Sequence, residues 1–207
     1  MQSEAEHSRD ADSNVNRRAV EMRRAAKARV GWPSTASAAI LFALQPRGIR
    51  ALERTLVLLK PDAVQRGLVG EILARFEAKG LKLVGLKLRR FEESLLRRHY
   101  AVHEGKPFYE GLVRFMRSGP VVALALEGKN AIAVTRNLMG KTNCAEAAPG
   151  TIRGDLGMSV SFNLVHGSDG PESAAKELAL FFADKDELVS WAPTAEAWVY
   201  DLEGEKV

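Results

Sequence analysis

A single cysteine, Cys144, stands among 207 residues. That excludes a disulfide framework and fits a reducing compartment. No apolar run approaches the roughly 20 residues a membrane-spanning helix needs; the most apolar stretch, Ala36–Leu44, ends well short of it. There is no Gly-x-Gly-x-x-Gly, so a dinucleotide-binding fold has no support. Met139-Gly140-Lys141-Thr142 resembles the end of a phosphate loop, but that motif needs glycine at position 135, where Thr135 stands. Nor does any His or Cys sit at metal-ligand spacing near His166.

The formal charge of +4 and pI of 9.3 invite a nucleic-acid reading, which the distribution of charge removes. Residues 1–52 hold nine Lys/Arg and five Asp/Glu, which is the whole excess. Taking these from the chain's 30 basic and 26 acidic residues leaves twenty-one of each in 53–207. The basic character belongs to the N-terminal segment, and no nucleic-acid partner is expected.

Composition divides the chain at about Glu53, into an N-terminal extension (1–52) and a domain (53–207). From Met22 to Leu52 there are six basic residues and no acid, with Ser34, Thr35 and Ser37 interspersed. That is the pattern of an organellar transit peptide. The first 21 residues hold the five acids, so Met22 is a candidate start of translation. An organellar address is expected, mitochondrial in preference to plastid, with a cytoplasmic protein carrying a disordered tail as the alternative. A secretory signal built on Ala36–Leu44 is the rival that the want of cysteines argues against.

Within the domain, Arg54–Leu59 reads as a buried strand ended by Lys60-Pro61. Val69–Lys79 carries Ile72, Leu73 and Phe76 at helical spacing, with Gly80 placed to end it. Leu81–Phe91 alternates as a strand, and Ser94–Val102 and Phe108–Arg117 read as helices. Val121–Leu126 is a second buried strand and Asn130–Leu138 a helix. Lys141–Gly157 is a long loop, Val160–Val165 a strand ending at His166, and Pro171–Phe182 a helix with Pro171 near its first turn. The order implies an α/β sandwich: a small, mostly antiparallel sheet with helices packed on it. A loop as long as 141–157 inside a compact domain is usually functional, and this one carries Thr142 and Arg153.

The chemistry centres on Asn163-Leu164-Val165-His166-Gly167-Ser168-Asp169. Imidazole is largely neutral, and so nucleophilic, near pH 7. Taken alone, His166 reads more readily as a structural histidine among apolar neighbours than as a catalytic one. Lys60, Tyr100, Arg136, Thr142 and Arg153 are scattered groups suited to phosphate, Arg as a fork and Lys as a point charge. Arg89-Arg90 and Arg97-Arg98 could face an anionic membrane surface.

From Glu53 to about Asp201 the chain resembles the nucleoside diphosphate kinase family. The matching stretches are 53–62 (Glu-Arg-Thr-Leu-Val-Leu-Leu-Lys-Pro-Asp), 64–72, 106–109, 118–123, 149–155 (Pro-Gly-Thr-Ile-Arg-Gly-Asp) and 163–169, all colinear. The resemblance implies a ferredoxin-like βαββαβ fold with a four-stranded sheet. It implies ping-pong transfer of the γ-phosphoryl of a nucleoside triphosphate to a nucleoside diphosphate, through phospho-His166. It assigns Glu177, supported by Ser168, to orienting His166; Lys60 to phosphate and ribose; and Tyr100 to the transferred phosphoryl. Arg136, Thr142 and Arg153 fall to the other phosphates and Asn163 to the ribose. Phe108 and Val160 would sandwich the base, with Leu112 beside them, giving broad base tolerance because no base edge is read. Mg²⁺ is implied as the cofactor, held mainly by nucleotide phosphates and water with no direct protein ligand. A homo-oligomer, the family's hexamer, is implied as well. Two positions depart from the family's pattern: Cys144, where proline is common, and Phe162, where a basic residue is common.

Overall fold

A computed structural model describes residues 52–193 and Val199. The N-terminal extension, with the transit-peptide and Met22 readings, lies outside the described residues, except for Leu52.

Four consecutive apolar residues, Leu56–Leu59, end the run Glu53–Leu59, which forms β1, one of the two inner strands of the sheet. α1 (Pro61–Gln65) follows at once, with Pro61 at its first turn, where a missing N–H costs nothing. α2 (Val69–Ala78) ends as expected at Gly80, which adopts φ +92°. Gly80 N–H donates to Glu77 C=O (2.9 Å) and Leu81 N–H to Phe76 C=O (3.1 Å), the paired bonds of a Schellman cap. β2 (Lys82–Arg89), α3 (Glu93–His99), α4 (Tyr109–Arg117), β3 (Val121–Gly128) and α5 (Ala131–Met139) come next. After them stand α6 (Ile152–Leu156), β4 (Val165–Gly167) and α7 (Pro171–Phe181).

The sheet order is β2-β3-β1-β4, and all three pairings are antiparallel. This is the expected four-stranded ferredoxin-like sheet. It elaborates the simplest βαββαβ arrangement: α3 and α4 interrupt the link between β2 and β3, α1 and α6 add a second helix to each of the other links, and α7 follows β4. Both faces of the central strands are buried. On one face Leu56, Leu58, Ala123 and Ala125 pack with Leu96, Val113, Met116 and Phe181 from α3, α4 and α7. On the other, Val57, Leu59, Leu124 and Leu126 pack with Ile72, Phe76, Ala131, Met139 and Ile152 from α2, α5 and α6. The double burial explains why β1 reads as a continuous apolar run rather than an alternating one. β3 runs two residues beyond the expected end because Glu127, the charged residue there, is met by Arg54 (2.6 Å) and Lys82 (2.5 Å).

Two expectations are corrected. The strand placed at Val160–Val165 is instead Val165–Gly167, so His166 lies at its centre rather than past its end. The cause is a turn at Leu164, whose φ of +67° no strand permits. The loop 141–157 contains a 3₁₀ turn at Cys144–Glu146 and the helix α6. Each is started by a side-chain cap, Asn143 Oδ1 accepting from Ala145 N–H (3.3 Å) and Thr151 Oγ1 from Gly154 N–H (3.0 Å). Elements of a turn or so carry too few residues for periodicity to register.

α6 also needs glycine at 154. A Cβ there would overlap the Ala148 carbonyl. Gly154→Ala should therefore destabilise the fold by about 1–3 kcal/mol, read as a lowered denaturation midpoint.

Candidate active site

The pleat decides which way His166 faces. β4 pairs Leu58 with His166, which puts the imidazole on the Leu58 face, towards α3 and α7. Val165 falls on the opposite face and is buried there.

The turn before β4 fixes the register. Val165 N–H donates to Asn163 C=O at 2.7 Å across Leu164, closing a three-residue γ-turn of positive φ. The β1–α1 corner grips both backbone groups of Leu164. Its N–H donates to Asp62 Oδ2 (3.0 Å), and its C=O accepts from Lys60 N–H (2.8 Å). Asp62 thus holds the turn, a role its place in Lys60-Pro61-Asp62 gave no sign of.

His166 Nε2 lies 3.0 Å from Glu177 Oε1, and Ser168 Oγ donates to Glu177 Oε2 at 2.6 Å. Leu56 N–H donates to the Ser168 hydroxyl in turn, at 3.3 Å. Burial pulls the Glu177 pKa upward, but the His166 and Ser168 bonds outweigh it and hold the carboxyl below its usual range. An ionised Glu177 accepts the Nε2 proton, so the Nδ1 lone pair is the nucleophilic one.

His99 was not foreseen. Its ring packs edge-on to His166 (centroids 4.6 Å) and to Phe181 (5.0 Å), and its Nδ1 is 3.6 Å from Glu177 Oε1. Burial, with His166 second, pushes its pKa down to about 3. It is neutral at physiological pH, so the contact with Glu177 is no salt bridge there. Nothing marks this residue in sequence; it occupies an inward helical position after Leu95 and Leu96. Tyr100 packs against both histidines and is nearly fully buried. Burial and the Glu177 charge push its phenol upward, so it stays a proton donor.

The phosphate-suited cations converge on the same cleft. Lys60 Nζ donates to Asn163 Oδ1 (2.6 Å), and Asn163 Nδ2 to Thr142 C=O (3.1 Å). Arg153 is buried, and its three guanidinium bonds go to the carbonyls of Asn163 (3.2 Å), Gly140 (2.7 Å) and Val165 (2.7 Å). Arg136 Nη1 reaches Gly167 C=O at 3.4 Å. Burial above all, then Arg153, lowers the Lys60 pKa to about 8. Both buried cations thus hydrogen-bond to neutral oxygens, a concentration of positive charge suited to a polyanion.

The cleft measures about 1300 Å³ and is lined by every residue foreseen for the site except Ser168, which supports Glu177 from behind. Phe108, Leu112 and Val160 line its outer part. A second cavity of about 190 Å³ beside Leu81, Leu83 and Trp191 gathers none of them. Of the basic face, Arg97 is engaged by Glu93 (2.8 Å) and, through both guanidinium nitrogens, by Glu110 (2.8 and 2.9 Å). Its charge is largely answered within the protein.

A profile of the family described as nucleoside diphosphate kinase matches residues 53–187. A relative of that name from Carboxydothermus hydrogenoformans is 56% identical over 150 residues, covering 72% of this chain and all of the relative. Another, from Archaeoglobus fulgidus, is 55% identical, again over 72% of this chain and 99% of the relative. Among solved structures, a nucleoside diphosphate kinase from Halobacterium salinarum in complex with CDP aligns with a TM-score of 0.70 at 55% identity. It covers 72% of this chain and 99% of that one. A family protein from Babesia bovis aligns with a TM-score of 0.69 at 47% identity and the same coverage.

Burial of neutral His99 sets an acid limb. Its folded pKa is depressed, so between about pH 6.5 and 3 the unfolded chain binds the proton the native state refuses. Stability should fall with pH across that window. His99→Phe should show a shallower fall in chemical denaturation measured from pH 7 to 4; an unchanged slope would contradict the assignment.

Proposed function

The chain belongs to the nucleoside diphosphate kinase family, a family of phosphotransferases, and from that premise we propose that His166 Nδ1 is the atom that carries the phosphoryl group. The observation that carries this reading is the bond of Nε2 to Glu177, which commits one ring nitrogen and frees the other. In the first half-reaction the Nδ1 lone pair forms a bond to the γ-phosphorus as the bond from phosphorus to the β–γ bridging oxygen breaks. The nucleoside diphosphate leaves with that electron pair. In the second, a terminal oxygen of another diphosphate attacks the phosphorus and the P–N bond breaks, restoring neutral His166. One site serves both nucleotides in turn, which gives ping-pong kinetics.

Glu177 keeps the Nε2 proton in place throughout and offsets the positive charge that develops on the ring, while Ser168 fixes the carboxylate. Tyr100 lies beside His166 as a donor to the phosphoryl in transit. Lys60, Arg136, Thr142 and Arg153 hold the remaining phosphates, and Asn163 faces the ribose. Such transfers depend mainly on positioning and charge neutralisation, which a buried cationic cluster supplies. Phe108 and Val160, with Leu112, take the base by apolar contact, the basis for broad base tolerance.

The family's reaction uses a divalent cation, and we propose Mg²⁺. Among the described residues, the one cluster of metal-ligand type is His99, His166 and Glu177. Glu177 is already bonded to His166 there, so the cluster does not suit a cation that prefers an octahedron of oxygens. The chain's residues instead fit a cation that arrives on the nucleotide phosphates, where it neutralises charge on the oxygens.

We also propose the family's hexamer; light scattering giving a mass far below six chains would overturn it. For residues 1–52 the acid-free Met22–Leu52 stretch supports a mitochondrial transit peptide, and residues 53–207 then form the mature kinase domain. N-terminal sequencing of protein from isolated mitochondria should begin downstream of Met22. An intact N-terminus in the cytosolic fraction supports the cytoplasmic alternative. Nucleoside di- and triphosphates are the partners this reading needs; of the four arginines that could face an anionic membrane surface, Arg97 is taken by Glu93 and Glu110, and Arg89, Arg90 and Arg98 are exposed.

His166→Ala should incorporate no acid-labile label from γ-labelled ATP, whereas the parent chain labels with the stability of a phosphohistidine. Glu177→Gln should lower kcat by about 10- to 100-fold while nucleotide affinity stays close to the parent's. A large loss of affinity at unchanged kcat would remove Glu177 from its place.

A further inference from the structure

Phe162 is 55% exposed, close to the 53% of Phe108 and 56% of Val160, and all three line the cleft. An aromatic ring left half in water beside a phosphate site calls for a partner or a ligand. Phe162 has a partner: its ring meets Phe115 edge-on, with centroids 5.1 Å apart. Phe115 lies on α4, one turn beyond Leu112 and two beyond Phe108. Residues at i, i+4 and i+7 share one helix face, so these three form a row along one lip of the cleft. Val160 and Phe162, two residues apart, line the other lip, in the segment that runs into Asn163. The Phe115–Phe162 contact is where the two lips touch.

We infer that Phe162 and Phe115 form an aromatic latch that holds the two lips of the base slot at a fixed separation, so that the slot stands ready before a base enters. The inference rests on the reading of Phe108, Leu112 and Val160 as the base site. The two lips belong to different parts of the chain. One is α4; the other is a stretch of irregular backbone between α6 and β4, held at its start where Ser159 C=O accepts from Cys144 Sγ (3.3 Å) and at its end by the Leu164 turn. Between those two holds, the ring–ring contact ties the exposed Val160–Phe162 stretch to α4. Fixing it in advance removes ordering from the binding step and strengthens binding without touching the reacting atoms.

The effect should therefore appear in affinity, equally in ground state and transition state, and not in turnover. Affinity for ADP is measured by titration calorimetry on the full chain, on Phe162→Ala, on Phe115→Ala and on the double variant. Each single change should raise Kd about two- to tenfold, the energy of an aromatic pair expressed as a ratio. The double variant should be no weaker than the weaker single, because the second ring has nothing left to hold. KM should rise in step, with kcat staying within about twofold. Phe162→Tyr should bind like the parent.

An unchanged Kd in Phe162→Ala overturns the latch, and so does a double variant whose loss is the product of the two single losses. Phe162 is exposed, so its replacement leaves the fold intact, and an unchanged thermal midpoint confirms that the reading is made on folded protein. ADP binding needs no phosphoryl transfer. Coupled rings with an active His166→Ala would sink the proposed chemistry alone, and independent rings with an inactive His166→Ala would sink the latch alone.

Discussion

A single backbone conformation governs this site. Leu164 is fully buried and holds φ at +67°, a region that costs a branched residue on the order of 1–3 kcal/mol. Its surroundings enforce it. The N–H is taken by Asp62, the C=O by Lys60 N–H, and the next N–H folds back onto Asn163. A relaxed, extended Leu164 would carry Val160–Val165 on as a straight strand and shift the pleat. A shift of one residue turns His166 to the opposite face of the sheet, away from Glu177. The same turn brings the Asn163 side chain to Lys60 and its carbonyl to Arg153. His166 and the Lys60–Asn163–Arg153 cluster, the proposed nucleophile and phosphate cradle, are thus positioned by one strained residue, clamped from the end of β1.

The two electrostatic halves of the cleft follow from burial. Arg153 and Lys60 are buried but bonded to carbonyl and amide oxygens, so their positive field is left for the substrate. Glu177 is part-buried but saturated with donors, so it remains ionised at the base of the nucleophile. His99 completes this division by staying neutral. A cationic imidazole at its position would compete with His166 for Glu177 and, in the proposed transfer, repel the charge that develops on the His166 ring. Its apolar cage of Phe181 and Tyr100 keeps it uncharged.

How much of this could be read from the chain alone depended on length of signal. β1 and β3 were legible as unbroken apolar runs, and α2 and α7 as several turns of apolar periodicity, each bounded by Pro or Gly. α1 and α6 were not, since five residues hold barely one period and their starts depend on Pro61 and the Thr151 cap. The strand at His166 was displaced by the Leu164 turn, which no propensity favours; it is imposed by Asp62, 102 residues away in sequence. The phosphate cations and His166 could be listed from residue type, but their convergence came from resemblance to a family, not from spacing. His99 was invisible for a plainer reason: at an inward helical position a histidine reads as core.

The cleft also divides labour by hardness of environment. Its phosphate end is buried, polar and cross-linked by hydrogen bonds running through Asn163, Arg153 and Lys60. Its other end, proposed for the base, is half-exposed, with Phe108, Val160 and Phe162 offering mainly apolar surface. In the proposed reaction, specific geometry is spent where every substrate is alike, at the phosphates and the transferred group. Loose, apolar contact is left where substrates differ. Phe162 keeps to that division: it brings a ring set against Phe115, and no charge, to this end of the cleft.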